Sequence, residues 1–394
     1  MARSAGSSKL LRAMNCSAVL HHLLAGRGLT RADLRNLTAL STPTVSDALR
    51  RLVEAQLVTV VSFDRSRPGP NAEVYGPHPD GGYAIAVSVR DVGPGAGSPS
   101  LVGAVSDLTG GTRAQAGVVA DFVDTDPVAA VADIVERLHE IGRLHAGRPV
   151  HLQLAVAGSY DPRSGRIHHV DVPGWNRDGL VGDIAARLGV PVSIDNDVNL
   201  AAVAERNRGV ARDVDGFALL WLGAEGLGLA IDVNGALLRG ARGGAGEIGY
   251  MPVHVPGARE AKADLQALVG GPAVLELARR SGLDGADPAG AVRAAREAAY
   301  AGFFAELAER VSAGLAPVVA VLDPPLIVLA GEVATAGGEM LRDAIATTLA
   351  DLMPFENRIE CTAISGDPVL LGALDASLST LQTSLVAELR EATD

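Results

Sequence analysis

The stretch GAGEIGYMPV, residues 244–253, sets one carboxylate, Glu247, among glycines and follows it with Tyr250. Glycine lets backbone approach a small molecule closely, and a carboxylate accepts several directed hydrogen bonds. Such a frame suits a small polar ligand. A second chemical pattern lies in TALSTPTVSDALRRLVEAQLV, residues 38–58. The hydroxyls of Thr42, Thr44 and Ser46 precede Asp47, Arg50 and Arg51. Hydroxyls at a helix start can hold phosphates or touch base edges, and arginines supply charge and guanine contacts. Asp47 needs a cytosine amino group or a neighbouring arginine, because an unpaired carboxylate there repels phosphate.

These groups need elements to hold them. Leu10, Met14, Leu20, Leu23 and Leu24 fall near helical spacing within residues 9–26, and Gly26 and Gly28 stop that helix. Thr30 is the expected N-cap for a short helix RADLRNL. Thr42 is the expected cap of the next helix, with Pro43 at its first position and Val45, Leu49 and Leu52 inward. Residues 57–79, LVTVVSFDRSRPGPNAEVYGPHP, then read as two strands around a basic tip. Short helix, tight connection, hydroxyl-led helix and hairpin make a winged helix-turn-helix. Its tip offers Arg65 and Arg67 to phosphate or the minor groove.

Charge agrees with that division. The chain of 394 residues carries a formal net charge of −12, yet residues 1–80 hold ten Arg/Lys against six Asp/Glu. A basic head on an acidic body meets a polyanion with the head. Two cysteines, Cys16 and Cys361, exclude a disulfide framework and a clustered thiolate metal site. The amino terminus lacks a signal-peptide core, and no uninterrupted apolar run reaches membrane length, so a cytoplasmic protein without membrane contact is expected.

From residue 81 onward strands alternate with helices. YAIAVSV, LVGAVSD, VHLQLAV and PLIVLAG are expected strands, residues 126–145 a helix, and Asn234-Gly235 a hairpin turn. Helical segments dominate 272–322, and the order predicts an α/β class.

Five ordered stretches give the body a family likeness: DVPGWN (171–176), VSIDNDVNLAAVAE (192–205), LGAEGLGLAI (222–231), GALLRGARGGAGEIGYMPV (235–253) and GGPAV (270–274). With them the chain resembles the repressor, open reading frame and sugar-kinase family, ROK, and its winged head resembles the regulator branch. The resemblance implies a head over residues 1–80 and a two-lobed, actin-like (ribonuclease-H-like) effector and oligomerisation domain over 81–394. It also implies ligand roles for Asn196, Asp197 and Glu247, which match sugar-binding positions. In the family's kinases the aspartate at the Asp197 position abstracts the sugar hydroxyl proton.

Departures from the family pattern are equally specific. VSVRDVGPGAG, residues 87–97, lacks the Asp-x-Gly-x-Thr phosphate loop, and GAEGLG, residues 223–228, has Glu225 where the second loop carries threonine. A carboxylate there faces phosphate with like charge. Tyr250 replaces the zinc-binding histidine, REAKADLQALVGGP contains none of the family's cysteines, and Gln266 replaces the last glutamate. No zinc, no other cofactor and no catalytic residue are therefore expected. The adjacent His168 and His169 read as loop surface. Tyr250 and Gln266 either retune the pocket, toward an acidic or phosphorylated sugar, or close it. The resulting expectation is a DNA-binding transcriptional regulator, a repressor, acting as a homodimer or homotetramer on an operator duplex and answering to a sugar or sugar derivative. An ATP-dependent sugar kinase with a DNA-binding head, and an effector-independent DNA binder, are the alternatives.

Overall fold

The computed structural model describes residues 4–26, 28–64, 71–90, 100–170, 172–253, 263–354 and 358–391. Arg65 and Arg67 lie outside the described residues, as do residues 91–97 of the stretch that lacks the family's first phosphate loop. The chain forms two compact units: Met1–Val156 with Asp171–Ile194 and Ala373–Asp394, and Ala157–Val170 with Asp195–Gly372.

The first unit begins with helices Ser4–Leu24, Arg31–Thr38 and Thr42–Glu54. Strands Val58–Asp64 and Ala72–Pro77 pair antiparallel, and Leu29–Thr30 adds a third strand beside Ala72–Pro77. This is the expected winged head. Thr30 caps the second helix through a reciprocal pair with Asp33, whose amide donates to Thr30 Oγ1 at 3.2 Å while Thr30 N donates back at 3.0 Å. The cap of the third helix is Ser41 and not Thr42, because Ser41 Oγ accepts from Thr44 N. Thr42 and Pro43 consequently occupy its first two helical positions. Val45, Ala48, Leu49 and Leu52 are buried, so the stripe at helical spacing faces the core. In the first helix the buried stripe is Val19, Leu20 and Leu23; Leu10 and Met14 are exposed.

The same unit carries a five-stranded sheet in the order Val192–Asn196, Val150–Val156, Tyr83–Val89, Leu101–Asp107, Thr112–Val118. Tyr83–Val89 runs parallel to Val150–Val156 and antiparallel to Leu101–Asp107. Tyr83–Val89 and Leu101–Asp107 are buried along their length, as expected for strands covered on two faces. Helix Pro127–Gly142, capped by Asp126, packs on the sheet. The last helix, Pro368–Glu391, is long and apolar enough by length and composition to cross a membrane. Its apolar residues have protein partners, however: Leu381 and Leu385 are buried in one cluster with Leu20, Leu34, Leu49 and Leu52 of the head.

The second unit has its own five-stranded sheet: Ala236–Leu237, Leu227–Val233, Gly216–Leu222, Ile327–Ala330, Ile359–Cys361. Gly216–Leu222 and Ile327–Ala330 are parallel, which requires a crossover between them. Helices Gly271–Arg280, Pro288–Glu297 and Ala301–Leu322 supply it, with Phe303, Phe304 and Leu307 fully enclosed. Asn234 and Gly235, both at positive φ, make the expected turn between Leu227–Val233 and Ala236–Leu237.

Candidate nucleic-acid interface and ligand site

Helix Thr42–Glu54 turns one face to the core and the opposite one to solvent. Thr42, Arg50 and Arg51 are exposed, and Thr44, Ser46 and Asp47 are half-buried. Asp47 has found its partners on its own helix. Its Oδ1 accepts from Arg50 Nη2 at 2.6 Å and its Oδ2 from Arg51 Nε at 2.9 Å. Hydrogen bonds from Arg51 and Arg50 hold its carboxyl below the usual range. Arg50 also reaches Glu54, at 2.7 Å. The helix thus presents hydroxyls at its start and a charge-balanced Asp47–Arg50–Arg51 group farther along. At the wing base, Arg31 pairs with Glu73 at 2.8 Å, and its guanidinium stands 5.0 Å from the Tyr75 ring centroid.

Where the chain passes into the second unit, the end of strand Val192–Asn196 leads through Asn196 into Asp197 at the start of helix Asp197–Arg208. Asn196 is the N-cap, its Oδ1 accepting from Val198 N at 2.9 Å and Asn199 N at 3.2 Å. Its Nδ2 donates to Gly158 O at 3.2 Å. Asp197 is different. Burial first, then the nearby carboxylates Glu247 and Glu332, push its ionisation up to about 7, against an opposing hydrogen bond from Val198 N. Beside it, buried Asp195 accepts from Asn199 Nδ2 at 3.1 Å and from Arg239 Nη2 at 2.7 Å, which aligns the start of this helix.

Glu247 is placed by its glycines. Gly246 has φ +91, and a Cβ there would stand 1.8 Å from Leu229 O, so the backbone can run this close only without a side chain. Leu229 N donates to Gly246 O at 3.0 Å, tying the loop to the sheet edge. Glu247 is half-buried, and a single 3-10 turn, Ile248–Tyr250, follows. Tyr250 is 60% exposed, and its hydroxyl meets His169 Nδ1 at 3.0 Å, with ring centroids 5.0 Å apart. His169 thus joins the side chain that replaces a histidine. No spacing rule links residues 169 and 250, so only the fold reveals the pair.

Gln266 serves a loop. Its Oε1 accepts from Leu227 N at 3.2 Å and its Nε2 donates to Glu225 O at 3.1 Å. Glu332, which the sequence reading passed over, accepts from Ala224 N of the same loop at 3.3 Å. The only available signal was its place directly after a strand and a glycine, at a helix start. Among the described residues no three His, Cys, Asp or Glu side chains converge as a metal would require.

Comparisons with known proteins extend this picture. A family profile described as ROK family matches residues 95–376. The bifunctional enzyme NanE/NanK of Brucella suis biovar 1 is 32% identical over 200 residues, covering 49% of this chain and 36% of that enzyme. The chain therefore spans little more than a third of that curated relative. A xylose repressor of Caldicellulosiruptor bescii is 22% identical over 400 residues, covering 95% of this chain and 98% of the repressor. A solved ROK family transcriptional regulator, a homolog of the E. coli MLC protein, superposes with a TM-score of 0.74 at 19% identity, covering 97% of this chain and 99% of that one. This last likeness extends across the head as well as the body, and the expected two-lobed α/β fold is the one found.

Proposed function

The chain belongs to the ROK family, and from that membership we propose that it is a sequence-specific DNA-binding transcriptional regulator, a repressor, whose kinase-like domain senses a sugar or sugar derivative. Residues 1–80 read the operator and residues 81–394 carry the effector and oligomerisation functions. The carrying observation is the solvent-facing hydroxyl and arginine face of helix Thr42–Glu54 beside the paired strands Val58–Asp64 and Ala72–Pro77. Thr42, Thr44 and Ser46 hold phosphates or base edges, Arg50 and Arg51 exchange Asp47 for DNA, and Arg65 and Arg67 contact phosphate or the minor groove. A full-length relative that is a xylose repressor supports the same reading. On this reading the protein acts in the cytoplasm, on the nucleoid, as a homodimer or homotetramer matched to a near-palindromic operator.

Asn196, Asp197 and Glu247 form the ligand set, with Tyr250 offering an exposed ring for a sugar face and Gln266 holding the adjoining loop. Effector binding alters DNA affinity only if the two conformations bind it unequally. Kinase relatives such as the NanK-containing enzyme favour a second reading, phosphoryl transfer with Asp197 as base. Glu225 and Glu332 at the loop that would receive phosphate weigh against it. Coupled phosphorylation assays over hexoses, amino sugars and their derivatives separate the two readings. The regulator reading expects no turnover, whereas turnover abolished by Asp197→Asn establishes the kinase. An operator complex indifferent to every sugar on that panel favours a DNA binder without an effector.

A further inference from the structure

The loop Gly223–Gly226 joins strands Gly216–Leu222 and Leu227–Val233, where glycine-rich turns commonly present free amides to an anion. Here the chain itself uses two of the loop's amides, those of Gly223 and Ala224, and that of Leu227 just after it. Gly223 N donates to Gly226 O at 2.9 Å, Ala224 N to Glu332 Oε2 at 3.3 Å, and Leu227 N to Gln266 Oε1 at 3.2 Å. Glu332 comes within reach because Gly331, at φ +91, lets the strand Ile327–Ala330 turn sharply into helix Glu332–Leu352. A Cβ at Gly331 would meet Leu222 O at 2.4 Å.

Glu332 is therefore a carboxylate at a helix N-terminus, the position that attracts anions, and it also occupies a loop amide. Asp197 occupies the equivalent first turn of the helix after Val192–Asn196. Acidic groups of the chain fill both anion-favouring positions, and Glu247 and Glu332 each act electrostatically on Asp197.

We propose that Glu332 is a specificity-determining residue that excludes phosphate: its carboxylate holds the Ala224 amide that a phosphate at this loop needs, so the effector of this unit presents no phosphate there. This inference rests on the effector reading above and removes, from the ligands a pocket retuned by Tyr250 and Gln266 would take, any that turns a phosphate to this loop. Its chemistry is like-charge exclusion joined to occupation of a donor.

The test titrates inorganic phosphate, at constant ionic strength, into the full chain and into Glu332→Gln and Glu332→Ala, by calorimetry with DNA binding measured on the same preparations. The Gln variant keeps the shape and the acceptor while removing the charge, and should gain roughly threefold in phosphate affinity. The Ala variant also frees the amide and should gain about tenfold or more. Folded variants that bind phosphate no better than the parent overturn the proposal, as does a parent that already binds as tightly. If Glu332→Ala does not fold, the near-isosteric Gln variant decides alone. Intact operator binding beside a failed phosphate gain sinks this inference only, while the reverse result sinks the regulator reading only.

Discussion

Asp47 and Arg51, one helical turn apart, meet at 2.9 Å, and the other oxygen of the same carboxylate takes Arg50 at 2.6 Å. One acidic side chain therefore restrains both arginines of helix Thr42–Glu54 that are proposed to meet DNA. Exposed pairs of this kind add little stability, so the effect of Asp47 belongs to binding. In Asp47→Ala the arginines are free to meet any phosphate. Affinity for scrambled duplex should rise about tenfold at low salt, with a salt slope steeper by about one, and the preference for operator should shrink. Fluorescence anisotropy with both duplexes measures this; unchanged affinity for scrambled DNA argues against a restraining role.

Asp197 makes stability depend on pH in a defined direction. Its carboxyl titrates near the ordinary value of about 3.9 when unfolded and at about 7 when folded. Between those values the folded state binds the extra proton, so this contribution falls as pH rises and levels off above pH 7. Asp197→Asn keeps the acceptor for Val198 N and removes the charge. The variant should match the parent near pH 4 and exceed it at pH 8 by on the order of 2–4 kcal/mol. Urea unfolding at both pH values is the measurement, and a difference that does not change with pH contradicts the assignment.

The Gly-rich frame supplies a paired test of local geometry. Gly246→Ala places a Cβ 1.8 Å from a backbone carbonyl at φ +91, and should cost about 3 kcal/mol or more. Gly244, where a Cβ meets nothing within 4 Å, should accept alanine within about 0.5 kcal/mol. Equal stability of the two variants would show that the backbone around Glu247 is not held as described.

Leu385 sits 4% exposed in the head cluster although it lies more than three hundred residues downstream. Arg390 Nε also donates to Ser17 Oγ at 2.8 Å. Leu385→Ala should destabilise the first unit by about 2–4 kcal/mol and speed hydrogen exchange in helix Thr42–Glu54. If exchange quickens only within the last helix, the shared core carries less than its packing implies.

The head was legible because its signals are local: a capping Thr30, a stripe at Val45, Leu49 and Leu52, and a turn-rich tip between alternating strands. The error at its third helix was one residue, since Ser41 and Thr42 are chemically interchangeable caps until the backbone selects one. The body's alternating strands and helices were equally readable from period and composition. Long-range partners were not. His169 meets Tyr250, Glu332 meets Ala224 and Leu385 joins Leu20 only after the chain has crossed itself, and no short-range spacing encodes those contacts. Asn196 shows the same limit from another side. Its type suits both a ligand contact and a helix cap, and the structure adds that its side chain is already bonded to Val198, Asn199 and Gly158.

Recognition of an operator through helix Thr42–Glu54 is the claim on which the remainder depends. The direct measurement is a titration of duplexes from the region upstream of the chain's own gene, against scrambled duplexes of equal length, over a series of salt concentrations. At least one upstream duplex should bind 10³-fold or more above scrambled DNA, as an order of magnitude. That binding should weaken linearly with the logarithm of salt and lose its preference in Arg50→Ala/Arg51→Ala. Equal affinity for every duplex at every salt concentration contradicts the account.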